Sequence, residues 1–490
     1  MPQRKRAKTT AVAAKQSVTV RMYNQGFGDC FLITLQGDDG KPRYMLIDCG
    51  VHHQYPDRET KMQMVASDIA KKTGQHLDVV AITHEHTDHL YGFKYARDIF
   101  EKITVENLWL AWTENPDDTI AKELKQTVRK GVEELKASIG MLAPVNESFA
   151  FALQSLLDFE ILPATGTTSE LEYLRKHSLR SPRRPEDYLQ PGGKPLTIPG
   201  VKGVNIYVLG PPRCVSDIKT LTRENEMYPE FAALQNMAPF LSALGIKSEV
   251  MQEENLRYRV SCPFAKSFEI DSKRASKNRE YGRFFREFYG FSNTDPGQEW
   301  QRIDNDWLAP ASELALNINN LTNNTSLVLA LELTETEPHK VLLFAGDAQV
   351  GNWLSWQQVE FYLDEEKKKI VKGAELLNKT IVYKVGHHGS RNATLREKGL
   401  EMMDDTDLVA MLPVDEDWAK IKMRWEHPAT NLLARLKEKS KNRVLRTDKI
   451  KDLPGDLNMP HGYSQNEWKS FLDRINWDKS PENLWVEYTV

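Results

Sequence analysis

Four side chains of metal-binding type stand within six residues: His84, His86, Asp88 and His89, in the run Val79-Val80-Ala81-Ile82-Thr83-His84-Glu85-His86-Thr87-Asp88-His89-Leu90-Tyr91-Gly92. Imidazole nitrogens together with a carboxylate oxygen suit zinc, and also manganese or iron. Val79 to Ile82 is apolar and mostly β-branched, so it reads as a buried strand with the four ligand-type residues at its end. His84 and His86 are two positions apart and point the same way in extended backbone. Asp88 and His89 fall where the chain should turn into a helix, and can face a second ion. A histidine-rich polar turn is the bland alternative; the strand directly before the motif argues against it.

Other apolar strands end in the same kind of residue. Tyr44 to Ile47 ends at Asp48, Val341 to Ala345 at Gly346-Asp347, and Thr380 to Val385 at Gly386-His387-His388-Gly389-Ser390. Taken singly, a Gly-Asp is usually a turn and Asp48 a helix cap. Taken together they matter more, because the strand ends of one sheet lie side by side and their ligands can converge with the His84–His89 loop. There Asp48 can orient a histidine from behind. Gly26-Phe27-Gly28-Asp29 suggests a tight turn bringing backbone N–H groups and Asp29 to one point, although a hairpin turn explains it equally well.

The elements that must position these residues set the organisation of the chain. Its 490 residues exceed one ordinary core. A hydrophobic fraction of 40%, a charged fraction of 27% and a net charge of −4 fit a soluble globular protein, and any nucleic-acid footprint must be local. Cys30, Cys49, Cys214 and Cys262 are scattered with no Cys-x-x-Cys, which disfavours a disulfide framework and a cysteine zinc site and points to a reducing cytoplasm. No apolar run approaches the ~18 residues of a membrane span, and the first residues lack the apolar core of a secretory signal; the expectation is a cytoplasmic protein with no membrane partner. The expected divisions are a disordered basic tail at 1–16, the first half of a layered α/β core at 17–112, a helical and loop insertion at 113–198, a core strand at 199–212, a helical insertion at 213–316, the second half of the core at 317–450 and a C-terminal extension at 451–490. Helices are expected at 58–74, Tyr91 to Phe100 and Asp117 to Ile139. Two stretches are basic. Tyr173 to Arg184 carries Arg175, Lys176, Arg180, Arg183 and Arg184, either a grip on a phosphate backbone or a solvated loop. Lys273 to Arg286 interleaves Arg279, Arg283 and Arg286 with Tyr281, Phe284 and Phe285; it can pair with phosphates and stack on bases, or be a helix that packs its aromatics inward.

In this order Gly26-Phe27-Gly28-Asp29, Leu46-Ile47-Asp48-Cys49-Gly50, His84 through Gly92, Leu209-Gly210-Pro211-Pro212, Asn324-Thr325-Ser326-Leu327-Val328-Leu329, Gly346-Asp347, Lys384 through Ser390 and Arg446-Thr447-Asp448 resemble the metallo-β-lactamase-fold metallohydrolases, in the branch typified by the DNA-processing domain of the ComEC competence proteins. The resemblance implies an α/β (α+β) fold, an αββα sandwich with helical insertions and a metal site at one edge of its two sheets. It places His84 and His86 at one metal, Asp88, His89 and His387 at the other, and Asp347 between them. It also expects a third histidine where Gly210 stands, leaving His388, Asp29 or water to complete the first site. The implied cofactors are two divalent ions, Zn2+ or Mn2+. The implied reaction is phosphodiester hydrolysis of DNA or RNA by activated water, with Asp347 or Asp88 taking its proton. Ser390 and the Gly389 backbone would hold a nonbridging oxygen, and Asn324 or Ser326 would orient the phosphate. Two alternatives stand beside this nuclease: a small-molecule hydrolase acting on a thioester, lactone, β-lactam or cyclic nucleotide, and an effector subunit that docks a protein partner through its insertions.

Overall fold

The computed structural model describes residues 17–142, 154, 168–220, 223, 226–227, 281–284, 318, 320–364, 369–423 and 425–490. The basic tail and most of the 213–316 insertion, Arg279 and Arg286 included, lie outside the described residues. In chain order the strands are β1 (Val18–Tyr23), β2 (Cys30–Gln36), β3 (Pro42–Cys49), β4 (His76–Ile82), β5 (Thr104–Leu110), β6 (Val204–Gly210), β7 (Val328–Leu333) and β8 (Lys340–Phe344). They continue with β9 (Glu360–Asp364), β10 (Lys369–Lys372), β11 (Thr380–Lys384), β12 (Val409–Leu412), β13 (Val444–Arg446), β14 (Ile475–Trp477) and β15 (Trp485–Thr489).

These strands build a seven-stranded sheet in the order β14-β15-β1-β2-β3-β4-β5 and a six-stranded sheet in the order β13-β12-β11-β8-β7-β6, with β9 and β10 as a separate ribbon. Side chains alternate between two environments, as a pleated strand requires. Val79 and Ala81 of β4 and Leu342 and Phe344 of β8 pack between the sheets. Their neighbours Val80, Ile82, Val341 and Leu343 join a second cluster with Met62, Val65, Ala66 and Ile69 of the helix Arg58–Thr73 and Leu432 and Leu436 of the helix Thr430–Lys439. The result is four layers, helix on sheet on sheet on helix, as expected.

Two sequence expectations change. The segment expected as one helix from Tyr91 to Phe100 is a series of short helices, Thr87–Leu90, Gly92–Tyr95 and Arg97–Phe100. It bends tightly over β3: a Cβ on Gly92 would lie 2.5 Å from the carbonyl oxygen and Sγ of Cys49. The C-terminal segment is also more than an extension. Its strand β15 pairs antiparallel with β1, Thr19 opposite Thr489, and covers an edge that would otherwise present unpaired backbone groups.

Direction decides where the ligands gather. β3, β4 and β5 are mutually parallel, and so are β8, β11, β12 and β13. Their carboxyl ends bring Asp48, His84, Asp347 and His387-His388 to one edge of the sandwich. Among the described residues no helix is long and apolar enough to cross a membrane.

Candidate metal centre

Asp48 ends β3 in left-handed backbone (φ 55), a conformation that aspartate tolerates better than most residues. Its Oδ1 accepts the Thr83 N–H at 2.8 Å, and its Oδ2 accepts the Thr83 hydroxyl at 2.7 Å. The same Oδ2 lies 2.7 Å from His89 Nδ1. Asp48 is therefore the carboxylate behind a histidine. With Nδ1–H committed to Asp48, His89 presents the lone pair of Nε2, which faces Asp347 Oδ2 at 3.1 Å. Both atoms are buried and neither makes a hydrogen bond.

His388 repeats the arrangement from the second sheet. Its Nδ1 donates to the Pro413 carbonyl at 2.8 Å, and its Nε2 lies 3.0 Å from Asp88 Oδ2. Phe27 packs on its ring, with centroids 4.0 Å apart. Three groups of close donor atoms meet at the centre: His84, His89 and Asp347; Asp88, Asp347 and His388; and Asp29, Asp48 and His89. A lone pair set against a carboxylate oxygen at hydrogen-bond distance, twice over, is the signature of a cation site: with no cation or proton present, the contact is repulsive. With protons alone in the centre, burial works to lower the His89 pKa, but Asp347, Asp88, Asp48 and Asp29 drive it well above the usual imidazole range. His388 is raised in the same way against its burial, first by the hydrogen bond to Asp88. The acid partners move oppositely: burial would raise Asp347 and Asp88, but the charge of His89 outweighs it and holds both far down.

On the other side, His84 Nε2 and His86 Nδ1 converge to 2.9 Å. His84 Nδ1 is steadied by Thr83 Oγ1 at 3.1 Å and Ser326 Oγ at 3.3 Å. Burial lowers the pKa of both rings, to about 4 for His86, so both stay neutral and able to coordinate. The residue expected to complete this side is absent for a steric reason. A Cβ at Gly210 would lie 2.0 Å from Asn352 Oδ1. That oxygen accepts the Trp356 indole N–H at 2.9 Å, and Asn352 Nδ2 donates to the carbonyls of Ser326 and Asn324 at 2.9 and 3.1 Å. The space of a third histidine is filled by a buried amide.

Several expected residues are placed differently. Asp29 is brought to the centre but does not complete the first side; its Oδ2 pairs with the ammonium of Lys384. Lys384 also donates to Asp347 Oδ1 at 3.2 Å and to the Gly346 carbonyl at 2.6 Å. The partner carboxylates keep its pKa above the usual lysine range in spite of burial. The close donor group contains His388 where the resemblance put His387. Both histidines have left-handed backbone, φ 43 and 52, so the chain coils and throws the second ring, not the first, toward Asp88. His387 lies 3.0 Å through Nδ1 from Ser390 Oγ and 3.4 Å from Gln349 Nε2. Ser390 donates to Asn392 Oδ1 at 3.0 Å, and Asn392 Nδ2 to Gln349 Oε1 at 3.0 Å. Asn324 does not face this group. Its amide donates to the carbonyls of Ile218 and Thr220 at 2.9 and 3.2 Å and accepts the N–H groups of Gln349 and Asn352 at 3.2 Å. Ser326 supports His84 and accepts the Asp347 N–H at 3.3 Å. Both therefore brace the edge rather than orient a substrate.

In the first basic stretch Arg175 is tied into the fold, and Arg180 and Arg184 make exposed ion pairs. Arg175 donates to the Tyr188 hydroxyl at 2.7 Å and the Glu114 carbonyl at 2.8 Å; Arg180 pairs with Glu106 at 3.5 Å and Arg184 with Asp187 at 2.9 Å. In the second stretch Arg283 is exposed.

Sequence reasoning gave no role to Lys384, Thr83, Gln349, Asn392 or His427, whose two ring nitrogens are buried and unpaired 5.7 Å (ring centroids) from His387. For Lys384 a signal existed: a lysine inside a strand buried on both faces must find carboxylates. For the others only the folded chain supplies the neighbours.

No curated protein matches this chain. The four-layer arrangement is the αββα metallo-β-lactamase fold, and residues 23–148, which carry β2 to β5 and the His84–His89 loop, match the family model of the metallo-beta-lactamase superfamily, supporting a metal-dependent hydrolase.

Proposed function

We propose that the protein is a metal-dependent phosphodiesterase whose first substrate to try is nucleic acid, DNA or RNA. The observation that carries the metal requirement is the paired contact of His89 Nε2 with Asp347 Oδ2 and of His388 Nε2 with Asp88 Oδ2, each histidine locked by its outer nitrogen. Charge supports the same reading. Four buried carboxylates, Asp29, Asp48, Asp88 and Asp347, surround the centre, and Lys384 pairs with two of them, Asp29 and Asp347, a deficit that two divalent ions, zinc or manganese, would offset. Asp88, His89, Asp347 and His388 would hold one ion and His84, His86 and Asp347 the other. Ions held there lower the pKa of water and steady charge on an attacked phosphoryl oxygen.

The remaining roles belong to the chain. Lys384 and the His387 N–H (3.0 Å) hold Asp347 Oδ1, leaving only Oδ2 to face the centre. Asp88 is the more exposed of the two central carboxylates, and takes the proton of the attacking water. Ser390, His387, Gln349 and Asn392 form a hydrogen-bonded group suited to a nonbridging phosphate oxygen. The resemblance to the DNA-processing domain and the 273–286 basic segment favour a nucleic-acid substrate.

The test is digestion of single-stranded and duplex DNA and of RNA, with and without Mn2+, beside Asp88→Ala. Metal-dependent cleavage lost in the variant is expected; no cleavage under any metal would remove the nuclease reading. A second reading, a small-molecule hydrolase, is favoured by one observation: a cavity of about 470 Å³ against Glu85, within the size range of small-molecule sites.

A further inference from the structure

That cavity lies between the helix Thr119–Leu142 and the 321–325 segment, beside the His84–His86 side of the centre. Among the described residues its apolar walls are Ala121, Leu124, Val128 and Leu321, Glu85 and Glu114 also line it, and no aromatic side chain does. Thr113 also lines it, and the Thr113 hydroxyl is buried with no hydrogen-bond partner. Thr113 is 3% exposed, and an unpaired hydroxyl at such depth is costly unless a ligand satisfies it. The hydroxyls of Thr322 and Thr325 are already spent on the Ile318 and Thr322 carbonyls, at 3.2 and 2.6 Å. The Lys125 ammonium is committed to Glu85 and Glu114, at 2.6 and 2.8 Å. Arg129, the other lining cation, is exposed.

We propose that this cavity is a substrate subsite for an aliphatic, uncharged group carrying one oxygen function, held by apolar contact and by the Thr113 hydroxyl next to the bond that is cleaved. A nucleobase fits poorly: it would bring several polar edge atoms to one free hydroxyl and find no ring to stack on. An alkyl or acyl chain with an ester, ether or hydroxyl oxygen meets both features. The proposal rests on the hydrolase reading and gives its small-molecule form a substrate class.

Two measurements test it on the full chain. The first is equilibrium binding of 1-octanol, followed by titration calorimetry, to wild type, Leu124→Trp and Leu321→Trp, with metal content measured in each. Saturable binding at one site is expected, weakened at least about tenfold in both cavity-filling variants, with metal content unchanged. The second is release of 4-nitrophenolate from a series of alkyl 4-nitrophenyl phosphodiesters, methyl to octyl. Wild-type kcat/KM should rise roughly threefold per methylene until the cavity is filled, and lie flat in both tryptophan variants, with the methyl ester unaffected. A flat wild-type series beside good hydrolysis of the methyl ester overturns the subsite and leaves the phosphodiesterase reading intact. If no ester is hydrolysed, the small-molecule phosphodiesterase reading falls, the nucleic-acid digestion still decides the nuclease, and octanol decides the subsite alone: binding lost in both variants upholds it, and absent or unchanged binding ends it.

Discussion

The two sides of the metal centre are built to different standards. On the Asp88, His89, Asp347 and His388 side three of the four ligand-type residues are fixed by their outer atoms: His89 by Asp48, His388 by the Pro413 carbonyl, Asp347 by Lys384 and the His387 N–H. On the His84 and His86 side, His84 leans on two hydroxyls at 3.1 and 3.3 Å, His86 Nε2 is unpaired, and the place of a third histidine is filled by Asn352. The closed side is preorganised, and ordering costs it little when an ion arrives. The other side would need water or substrate to finish its coordination, and Glu85, between its two histidines, lines the cavity. The difference is one of support: one side is braced from behind, and the other is less so.

Breaking both sides at once should give the largest effect. Asp347→Ala removes the carboxylate common to both sides, and elemental analysis should find no bound divalent metal, with metal-dependent turnover lower by at least about 10²- to 10³-fold. Next comes the contrast between neighbours: His388→Ala should lose the ion of the closed side, whereas His387→Ala should retain it and lose only turnover. Equal metal loss in the two would show that the coil at 386–389 had been misread. Asp48→Asn should weaken metal binding by about 10- to 100-fold, measured by competition with a chromophoric chelator, because His89 loses its acceptor.

Acidity sharpens the comparison without a mutation. Carboxylates raise His89 and His388 in the ion-free centre, so both hold protons there that an ion must displace. Affinity on the closed side should therefore climb as pH rises, with proton release seen by calorimetry in buffers of different ionisation heat. His84 and His86 are lowered by burial and already neutral, so the open side should depend less on pH. The smallest effect is expected from restoring the missing ligand. Gly210→His should bind no more metal than wild type and should unfold more easily, by about 1–3 kcal/mol, because its side chain meets Asn352.

Much of this centre was readable along the chain because its signals are local. A β-branched run followed by histidines at spacing two needs only the pleat of one strand to aim them together, and Asp48, Asp347 and His387-His388 each end an apolar strand. What was not readable depends on rotation about single bonds or on distant segments. The choice of His388 over His387 turns on left-handed backbone at both residues. The resemblance made Asn324 a phosphate ligand, yet its amide is consumed by Ile218, Thr220, Gln349 and Asn352. The basic stretch at 173–184 read as either a phosphate grip or a solvated loop; Arg175 is tied to Tyr188 and Glu114, and Arg180 and Arg184 make exposed ion pairs with Glu106 and Asp187.

By itself, the order of apolar runs and polar residues determined the layered α/β class and the strands whose ends carry ligands, since periodicity follows from backbone geometry alone. Tertiary structure decided the rest. Parallel pairing gathered those ends on one edge, Lys384 paired one oxygen of Asp29, and Asn352 filled the space of the missing histidine. Each depends on which residues, hundreds apart in the chain, share one buried volume, and there the cost of an unpaired charge or hydrogen bond leaves a single arrangement.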